Sequence, residues 1–182
     1  MKQAILYIIK IINKIFYPNF NLETTTISQI TILKIGFIQK ILGFNRKVPW
    51  PVHWSSTVAP SDKIIPGSRT PGMSQGCHID GRNGIEIGEN VWIGPYVKII
   101  SMNHDVSDYT RYIKAKSIKI GNNCWIGAGA IILPEVELGE HTVVGAGSVV
   151  TKSFKESNQV IGGNPAKIIK KLSKYKVNII NE

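Results

Sequence analysis

Aliphatic residues recur at every sixth position between residues 118 and 151. The register consists of Ile120, Ile126, Ile132, Leu138, Val144 and Val150. Glycine follows four of these six residues, and small or β-branched residues precede each of the last five by two positions. A period of six fits neither an α-helix at 3.6 residues per turn nor a long strand at period two. It predicts a solenoid of short strands joined by tight corners.

Each short strand would direct its aliphatic side chain to one face, and Gly or Asn would adopt positive φ in the corner that follows. If three sides close one coil, residues 18 apart come into register. The expected stacked pairs are Ile120 with Leu138, Ile126 with Val144, and Ile132 with Val150. Such stacking forms a continuous core that no single coil can bury alone.

Two earlier blocks keep the spacing of six. They are Ile87, Ile93 and Ile99, and, in a stretch rich in Pro, Ser and Gly, Val52, Val58 and Ile64. The Pro-rich block predicts an irregular first coil or, alternatively, a loop that crosses the end of the solenoid. Ile79 joins the register only if two residues are inserted before Ile87.

The polar run 101–117 interrupts the coils. Ile99 and Ile120 are 21 positions apart instead of 18, so we expect an excursion with three extra residues. Loops held on a rigid scaffold are frequent sites of function.

The two ends of the chain predict helices. Apolar residues in 1–17 have helical spacing until Pro18, and a second helical pattern runs over 27–44, with Ser28 or Thr26 as its cap. We expect these apolar faces to pack on the first coil or on a partner subunit, with a membrane surface as the alternative. After the repeats, a Gly-Gly-Asn-Pro corner predicts a short basic capping helix that begins near Pro165.

The chain therefore divides into three regions: an N-terminal helical region over 1–47, a β-solenoid over 48–164 with an inserted loop around 101–117, and a C-terminal basic helix and tail over 165–182. Its formal net charge of +10 is concentrated at the two ends. A nucleic-acid-binding protein would carry basic residues along its main face, so this class is disfavoured. Basic ends suit a phosphate-bearing cofactor or an anionic membrane, and the alternative is an ordinary solvated surface.

Two separated cysteines, no secretory pattern and no apolar run long enough to span a bilayer lead us to expect a cytoplasmic protein. Peripheral contact with the inner face of the cytoplasmic membrane remains open.

These repeats resemble those of the hexapeptide-repeat acyltransferases over residues 71–171. Within this family the chain is most similar to the sugar and polysaccharide O-acetyltransferases of capsule and lipopolysaccharide synthesis, near the galactoside and maltose enzymes. The resemblance implies an all-β, left-handed parallel β-helix, acetyl-CoA as co-substrate, no metal, and a homotrimer with its sites between subunits. The left hand comes from the resemblance alone, because ordinary crossovers are right-handed.

His104 is the main candidate for chemistry. It begins the excursion, and an imidazole suits proton abstraction near neutral pH. The family's catalytic histidine occupies the matching position; the alternative is a surface histidine bonded to its own loop. Asp105 or a backbone carbonyl would orient the ring. The resemblance gives the backbone amide of Ala128 the role of oxyanion donor.

The resemblance also implies an acceptor site. Trp125 matches a tryptophan that lines this site in the galactoside enzymes, although a structural role is equally open. Ser74 stands where the family has an acceptor-holding asparagine, so the identity of the glycan or small-molecule acceptor is undetermined. Further acceptor candidates are Asn103, Asp80, Tyr109 and Tyr112.

Small residues and lysines towards the C-terminus suit coenzyme A. Ala146 and Gly147, with Ala128, would leave room for the pantetheine arm. The positions that match contacts to the nucleotide end are Thr151, Lys152, Lys167 and Lys170. Lysine binds phosphate as a point charge, but a basic capping element with solvated lysines is the alternative.

Several other functions are alternatives. An N-acetyltransferase acting on an amino-sugar nucleotide, a xenobiotic acetyltransferase and a serine acetyltransferase share the repeats. A carbonic anhydrase needs three histidines around zinc, and none of the other three histidines lies near His104 in the excursion. A non-catalytic scaffold would have no use for this histidine or for a cofactor-binding end.

Overall fold

The computed structural model describes residues 2–22 and 27–176. Helix α1 spans Lys2–Phe16, and α2 spans Gln29–Gly36 and continues as a π-helical turn over Phe37–Ile41. Both predicted helices are therefore confirmed. Ser28 caps α2, because its Oγ accepts a hydrogen bond from the Thr31 N–H at 3.2 Å. The alternative cap, Thr26, lies outside the described residues.

The repeats form a parallel β-solenoid of about five turns with three faces. The first face contains β1 Thr57–Ala59, β3 His78–Asp80, β6 Lys98–Ile100, β11 Ile131–Ile132 and β14 Val149–Val150. The second face contains β2 Ile64–Ile65, β4 Ile85–Ile87, β9 Ile118–Ile120 and β12 Glu137–Leu138. The third face contains β5 Trp92–Ile93, β10 Trp125–Ile126, β13 Thr142–Val144, β15 Gln159–Gly163 and β16 Ala166–Lys171.

Two further strands, β7 Asn103–Asp105 and β8 Asp108–Ile113, form a hairpin, and a short 3₁₀ turn covers Ser61–Lys63. We call the corner after each first-face strand the first–second corner. The corner before each first-face strand is the third–first corner. These two corners carry the residues discussed below.

The predicted core stacking is confirmed. The three aligned pairs are Ile120 with Leu138, Ile126 with Val144, and Ile132 with Val150. All six side chains are buried. Burial of each such side chain contributes roughly 1.5–3 kcal/mol, so the column of aliphatic residues is the main stabilising element of the solenoid. The hand of the coil stays a prediction from the resemblance.

The irregular first coil is also confirmed. Val58 pairs with Ile79, and Ile64 pairs with Ile85. All four side chains are buried, and so is that of Val52. Ile79 aligns with Ile99, 20 positions later, which matches the expected insertion of two residues.

The predicted length of the excursion was wrong. Ile87 aligns with Ile120, 33 positions away, whereas Ile132 and Val150 are 18 apart in a regular coil. The inserted loop thus contributes 15 residues, not three. The error arose because Ile99 and Ile120 were compared as residues of one face, but they belong to the first and second faces.

The predicted C-terminal helix was wrong as well. Residues 166–171 form β16, which pairs antiparallel with β15 after a turn through Gly163 and Pro165. An isolated helix of this length is marginal in water. The free edge of β15 instead offers unpaired backbone groups, and the β-branched residues Ile168 and Ile169 favour a strand.

The helices are joined to the solenoid through polar contacts, whereas much of their apolar surface stays uncovered. The buried side chain of Gln39 hydrogen-bonds to the backbone of Trp50 and Val52. Within this chain, however, Ile8 and Ile15 on α1 are 55% and 70% exposed. The expected packing of the apolar faces on the first coil is therefore not realised for these residues.

Candidate active site

The hairpin of β7 and β8 leaves the solenoid at the first–second corner, directly after β6. His104 aligns with Tyr112 across the hairpin. The turn of this hairpin is stabilised by Asp105, whose carboxylate accepts a hydrogen bond from the Ser107 N–H at 2.8 Å. Every residue of β8 is exposed, so the hairpin projects from the scaffold into solvent.

The ring of His104 is fixed by a backbone carbonyl. Nδ1 lies 2.5 Å from the carbonyl oxygen of Tyr109. A carbonyl oxygen only accepts, so Nδ1 carries a hydrogen, and in the neutral ring Nε2 is then the nitrogen with the free lone pair. Of the two predicted orienting groups, the carbonyl makes this contact. The carboxylate of Asp105, the other candidate, accepts from the Ser107 N–H in the turn.

An aromatic and ionic cluster lies behind His104. Its ring centroid is 4.6 Å from that of Tyr112, and the guanidinium carbon of Arg82 is 4.8 Å from the Tyr112 ring centroid. Arg82 in turn binds Asp80, with Nη2 to Oδ2 at 2.6 Å. Burial alone would raise the pKa of Asp80, but hydrogen bonds from Arg82 and its charge outweigh burial and lower that pKa.

Asp80 therefore does not fit the predicted role of an acceptor contact. Its side chain is only 7% exposed, and both carboxylate oxygens accept hydrogen bonds from Arg82. Asn103 and Tyr109 remain exposed on the hairpin. They flank His104 and stay candidates for contact with an acceptor.

The third–first corner carries the second group of predicted residues. Ala128 is exposed there, and its backbone N–H has no acceptor among residues 2–22 and 27–176. One coil further on, Ala146 and Gly147 are also exposed. Gly147 has a φ of +67°, and a Cβ at this position would meet nothing within 4 Å. This corner therefore presents a free amide beside an open strip of small residues.

Ser74 and Trp125 lie on the same side of the molecule as this corner. Ser74 donates its hydroxyl hydrogen to the carbonyl of Ile93 at 2.6 Å. Trp125 aligns with Trp92 on the third face, and both indoles are more than half exposed. The two indoles give this face an aromatic surface. The guanidinium carbon of Arg69 lies over one of them, 3.5 Å from the Trp92 ring centroid.

In one chain these two groups lie on different corners. β11 runs from the Ala128 corner to the other corner and pairs with β6, the strand that leads into the hairpin of His104. Since a strand rises about 3.3 Å per residue, the corners are on the order of 15 Å apart. A single chain thus does not bring Ala128 to His104.

The predicted phosphate-binding residues are divided in the same way. Thr151 and Lys152 follow β14 at the first–second corner, and both are exposed. Lys167 and Lys170 are exposed on β16, which belongs to the third face. Their cationic ends are available to solvent, but on a strand instead of the predicted helix.

Arg82 and Asn83 are two residues of this region that the sequence analysis missed. The available signal was the polar run that follows β3, one coil before His104. Within the described residues, no group of three or more His, Cys, Asp and Glu side chains is placed to hold a metal ion. None of the described helices is long and apolar enough to cross a membrane.

Comparison with known proteins agrees with the solenoid. The family described as "Bacterial transferase hexapeptide (six repeats)" matches residues 117–152. Residues 117–152 thus carry repeats of the kind that defines this family. A galactoside O-acetyltransferase from Lactococcus lactis is 40% identical over 92 residues, which is 49% of this chain and 44% of that protein. The chain thus spans about half the length of the curated relatives that it matches.

Solved structures extend the likeness to the helical region. A maltose O-acetyltransferase from Clostridium difficile is 26% identical with a TM-score of 0.56, and the match covers 93% of this chain and 87% of that one. A galactoside acetyltransferase in complex with coenzyme A has a TM-score of 0.51 at 23% identity, covering 92% and 82% of the two chains, and shares the fold.

Proposed function

We propose that this protein is an acetyl-CoA-dependent O-acetyltransferase that modifies a sugar hydroxyl, with His104 as the general base. One observation carries the proposal. On a loop that projects from a hexapeptide-repeat solenoid, the contact of Nδ1 with the Tyr109 carbonyl leaves Nε2 of His104 as a proton acceptor. The relatives that act on galactosides and maltose support acetyl transfer to a sugar.

The reaction would proceed in a ternary complex. Nε2 of His104 takes the proton of the acceptor hydroxyl while its oxygen attacks the thioester carbonyl. The negative charge on the tetrahedral intermediate is stabilised by the free N–H of Ala128. Collapse breaks the C–S bond, and the thiolate of coenzyme A receives the proton from His104, which returns to its neutral form. Base catalysis supplies roughly 10²–10⁴-fold, and positioning of the two substrates supplies much of the remainder.

The site is proposed to form between neighbouring subunits of a homotrimer. The separation of the His104 corner from the Ala128 corner in one chain supports this arrangement, since a neighbouring copy would place its own Ala128 against His104. Mixing two inactive variants tests the idea. His104→Ala and a variant with a bulky residue at Ala146, Ala146→Trp, should regain part of the activity when they are co-assembled, because some interfaces then carry two intact partners.

The general base is tested by substitution. His104→Ala should lower the rate of acetyl transfer by at least about 100-fold. His53→Gln is a matched control, because His53 bonds to Ser55 within its own loop and lies outside the proposed site. An unchanged rate for His104→Ala would reject the assignment.

The proposed cofactor contacts can be separated from the chemistry. Lys152→Ala and Lys167→Ala should raise the KM for acetyl-CoA several-fold, on the order expected for loss of an exposed charge contact, and leave kcat nearly unchanged. Acetylpantetheine lacks the nucleotide phosphates, so its KM should not change in these variants. Equal effects on both donors would argue against phosphate binding by the lysines.

The acceptor is proposed to be a glycan of capsule or lipopolysaccharide synthesis. Labelled acetyl-CoA tested against neutral sugars, amino-sugar nucleotides, chloramphenicol and serine would identify the acceptor class. Transfer to an amine in preference to a hydroxyl would overturn O-acetylation while leaving the acetyltransferase proposal intact.

We further propose that the protein is cytoplasmic and that its helical region contacts the inner membrane surface. Exposed Ile8 and Ile15 lie on a helix with Lys10 and Lys14, and α1 has no acidic residue. Such helices bind anionic bilayers. Flotation should exceed background with vesicles containing phosphatidylglycerol but not with pure phosphatidylcholine, and Ile8→Asp with Ile15→Asp should abolish it. Ile65→Asp, an equally exposed site on the solenoid, is the control.

A smaller oligomer in the Ile8→Asp and Ile15→Asp variant would instead assign this apolar surface to a neighbouring subunit. Sedimentation of the variant and of the parent protein separates the two outcomes.

A further inference from the structure

We infer that Asn83, Arg82 and Tyr112 are positioning residues that hold His104 in its proton-accepting orientation. The inference rests on the proposed function, since it explains how a base on a projecting hairpin is kept in place. Exposed hairpins on solenoid corners are ordinarily mobile, because few buried contacts restrain them. The contacts of these three residues supply the missing restraint.

Asn83 closes the base of the hairpin. Its side-chain Nδ2 donates to the carbonyl of Ser101, before the hairpin, at 2.9 Å and to the carbonyl of Ile113, at its end, at 3.1 Å. The backbone N–H of Asn83 also donates to the Ser101 hydroxyl at 2.8 Å. One amide of the preceding coil therefore bridges the two points where the inserted segment leaves and rejoins the solenoid.

Arg82 supports the same hairpin near its base, through Tyr112. Its guanidinium is held by Asp80 through paired hydrogen bonds at 2.6 and 3.0 Å, and it lies against the Tyr112 ring. Because Asp80 is nearly buried, this guanidinium has a fixed position instead of the freedom of a surface arginine. The cation thus fixes the aromatic ring by a cation–π contact.

Tyr112 transmits this restraint to His104. Its ring contacts that of His104, the residue directly opposite on the other strand of the hairpin. The Tyr109 carbonyl holds Nδ1 of the same histidine. The imidazole is thereby restrained by two contacts, one with the tilted ring of Tyr112 and one at Nδ1. A displacement of about 1 Å in a catalytic group can cost on the order of 100-fold in rate, so loss of the ring contact should appear in kcat.

Kinetics on Tyr112 variants test the inference. Tyr112→Leu removes the ring and should lower kcat by roughly 10- to 100-fold while the KM for acetyl-CoA stays within about twofold. Tyr112→Phe keeps both ring contacts and should retain kcat within about threefold. A loss in Tyr112→Phe as large as that in Tyr112→Leu would overturn the inference, because the hydroxyl and not the ring would then be responsible.

A double-mutant cycle tests whether Arg82 acts through Tyr112. Arg82→Met alone should lower kcat, but combined with Tyr112→Leu it should add less than about twofold to the loss from the latter. Fully multiplicative losses would overturn this coupling. Arg82→Lys, which keeps the charge but not the planar pair with Asp80, should recover only part of the rate.

The tautomer of His104 gives a readout that does not depend on activity. Long-range ¹H–¹⁵N spectra of histidine-labelled protein, assigned with His104→Gln, should show a single Nδ1–H form in the parent protein and in Tyr112→Phe. In Tyr112→Leu and Asn83→Ala the signal should shift towards the mixture typical of a free imidazole. If His104→Ala keeps its activity the proposed function fails, whereas unchanged spectra in both of these variants would sink the positioning inference alone.

Discussion

Replacing the buried Gln39 with methionine should strongly destabilise the junction between the helical region and the first coil. The two side chains have similar length, so the change removes polar contacts with little change in volume. The two hydrogens of the Gln39 amide are shared among three carbonyls, and its oxygen accepts from two donors. These partners, all at 2.9–3.1 Å, are the carbonyls of Asn45, Val48 and Trp50, the N–H of Val52 and the hydroxyl of Tyr17.

The magnitude follows from the partners that would be left unpaired. Two carbonyls keep a second donor, because Val48 N–H also donates to Asn45 and the Lys40 ammonium also donates to Val48. Three groups have no other partner within the described residues: the Tyr17 hydroxyl, the Trp50 carbonyl and the Val52 N–H. An unpaired buried polar group costs about 1–3 kcal/mol, so three such groups give about 3–5 kcal/mol once water reaches some of them.

Urea unfolding at a fixed protein concentration would measure this loss, with Trp50 as a nearby fluorescent reporter. Gln75→Met is the matched control, since Gln75 is exposed, and it should change the free energy of unfolding by less than about 0.5 kcal/mol. A loss of unfolding free energy below about 1 kcal/mol for Gln39→Met would refute the reasoning, because the three buried polar groups would then find other hydrogen-bond partners without the amide.

Three further outcomes are expected. Asp80→Asn should be less stable than the parent near neutral pH, and the difference should shrink as the pH falls below about 4. Pairing with Arg82 lowers the pKa of Asp80 in the folded state, so its contribution to stability is lost as the pH falls through that pKa. A constant difference in melting temperature across this range would contradict the prediction. Ile126→Ala should cost about 2–5 kcal/mol in urea unfolding, since this fully buried side chain is stacked between two coils. Burial raises the pKa of Cys124 to about 11, so this thiol should resist a disulfide reagent at pH 8 until urea unfolds the protein, and rapid native labelling would contradict the buried position.

Much of the solenoid was predictable because its rule is local. A buried aliphatic residue such as Ile126 is followed within two or three residues by a corner, and the same requirement recurs in each coil. The period therefore identifies both the inward side chains and their stacked partners. The position of His104 on a projecting segment was predictable for a related reason, since it stands where this regularity stops.

The features that were missed depend on neighbours that the period does not specify. The segment of Lys167 and Lys170 is a strand because the last coil leaves an unpaired edge beside it. Ile168 and Ile169 favour a strand locally, but the edge itself is not visible in the sequence. The role of Asp80 was misjudged because an aspartate after a strand suits an exposed ligand contact equally well. Only the position of Arg82, two residues later, shows that its carboxylate is occupied. The polar contacts of Gln39 likewise join elements that are distant in the sequence.

The antiparallel strand β16 has a consequence for the state of the protein in solution. A stack of parallel coils has no intrinsic length, and its last rung would accept the first rung of another molecule, as in an amyloid fibril. Here the outermost rung of the third face runs in the opposite direction and carries exposed lysines at positions 167 and 170. Reversed polarity and positive charge both oppose such end-to-end growth at the edge of this face.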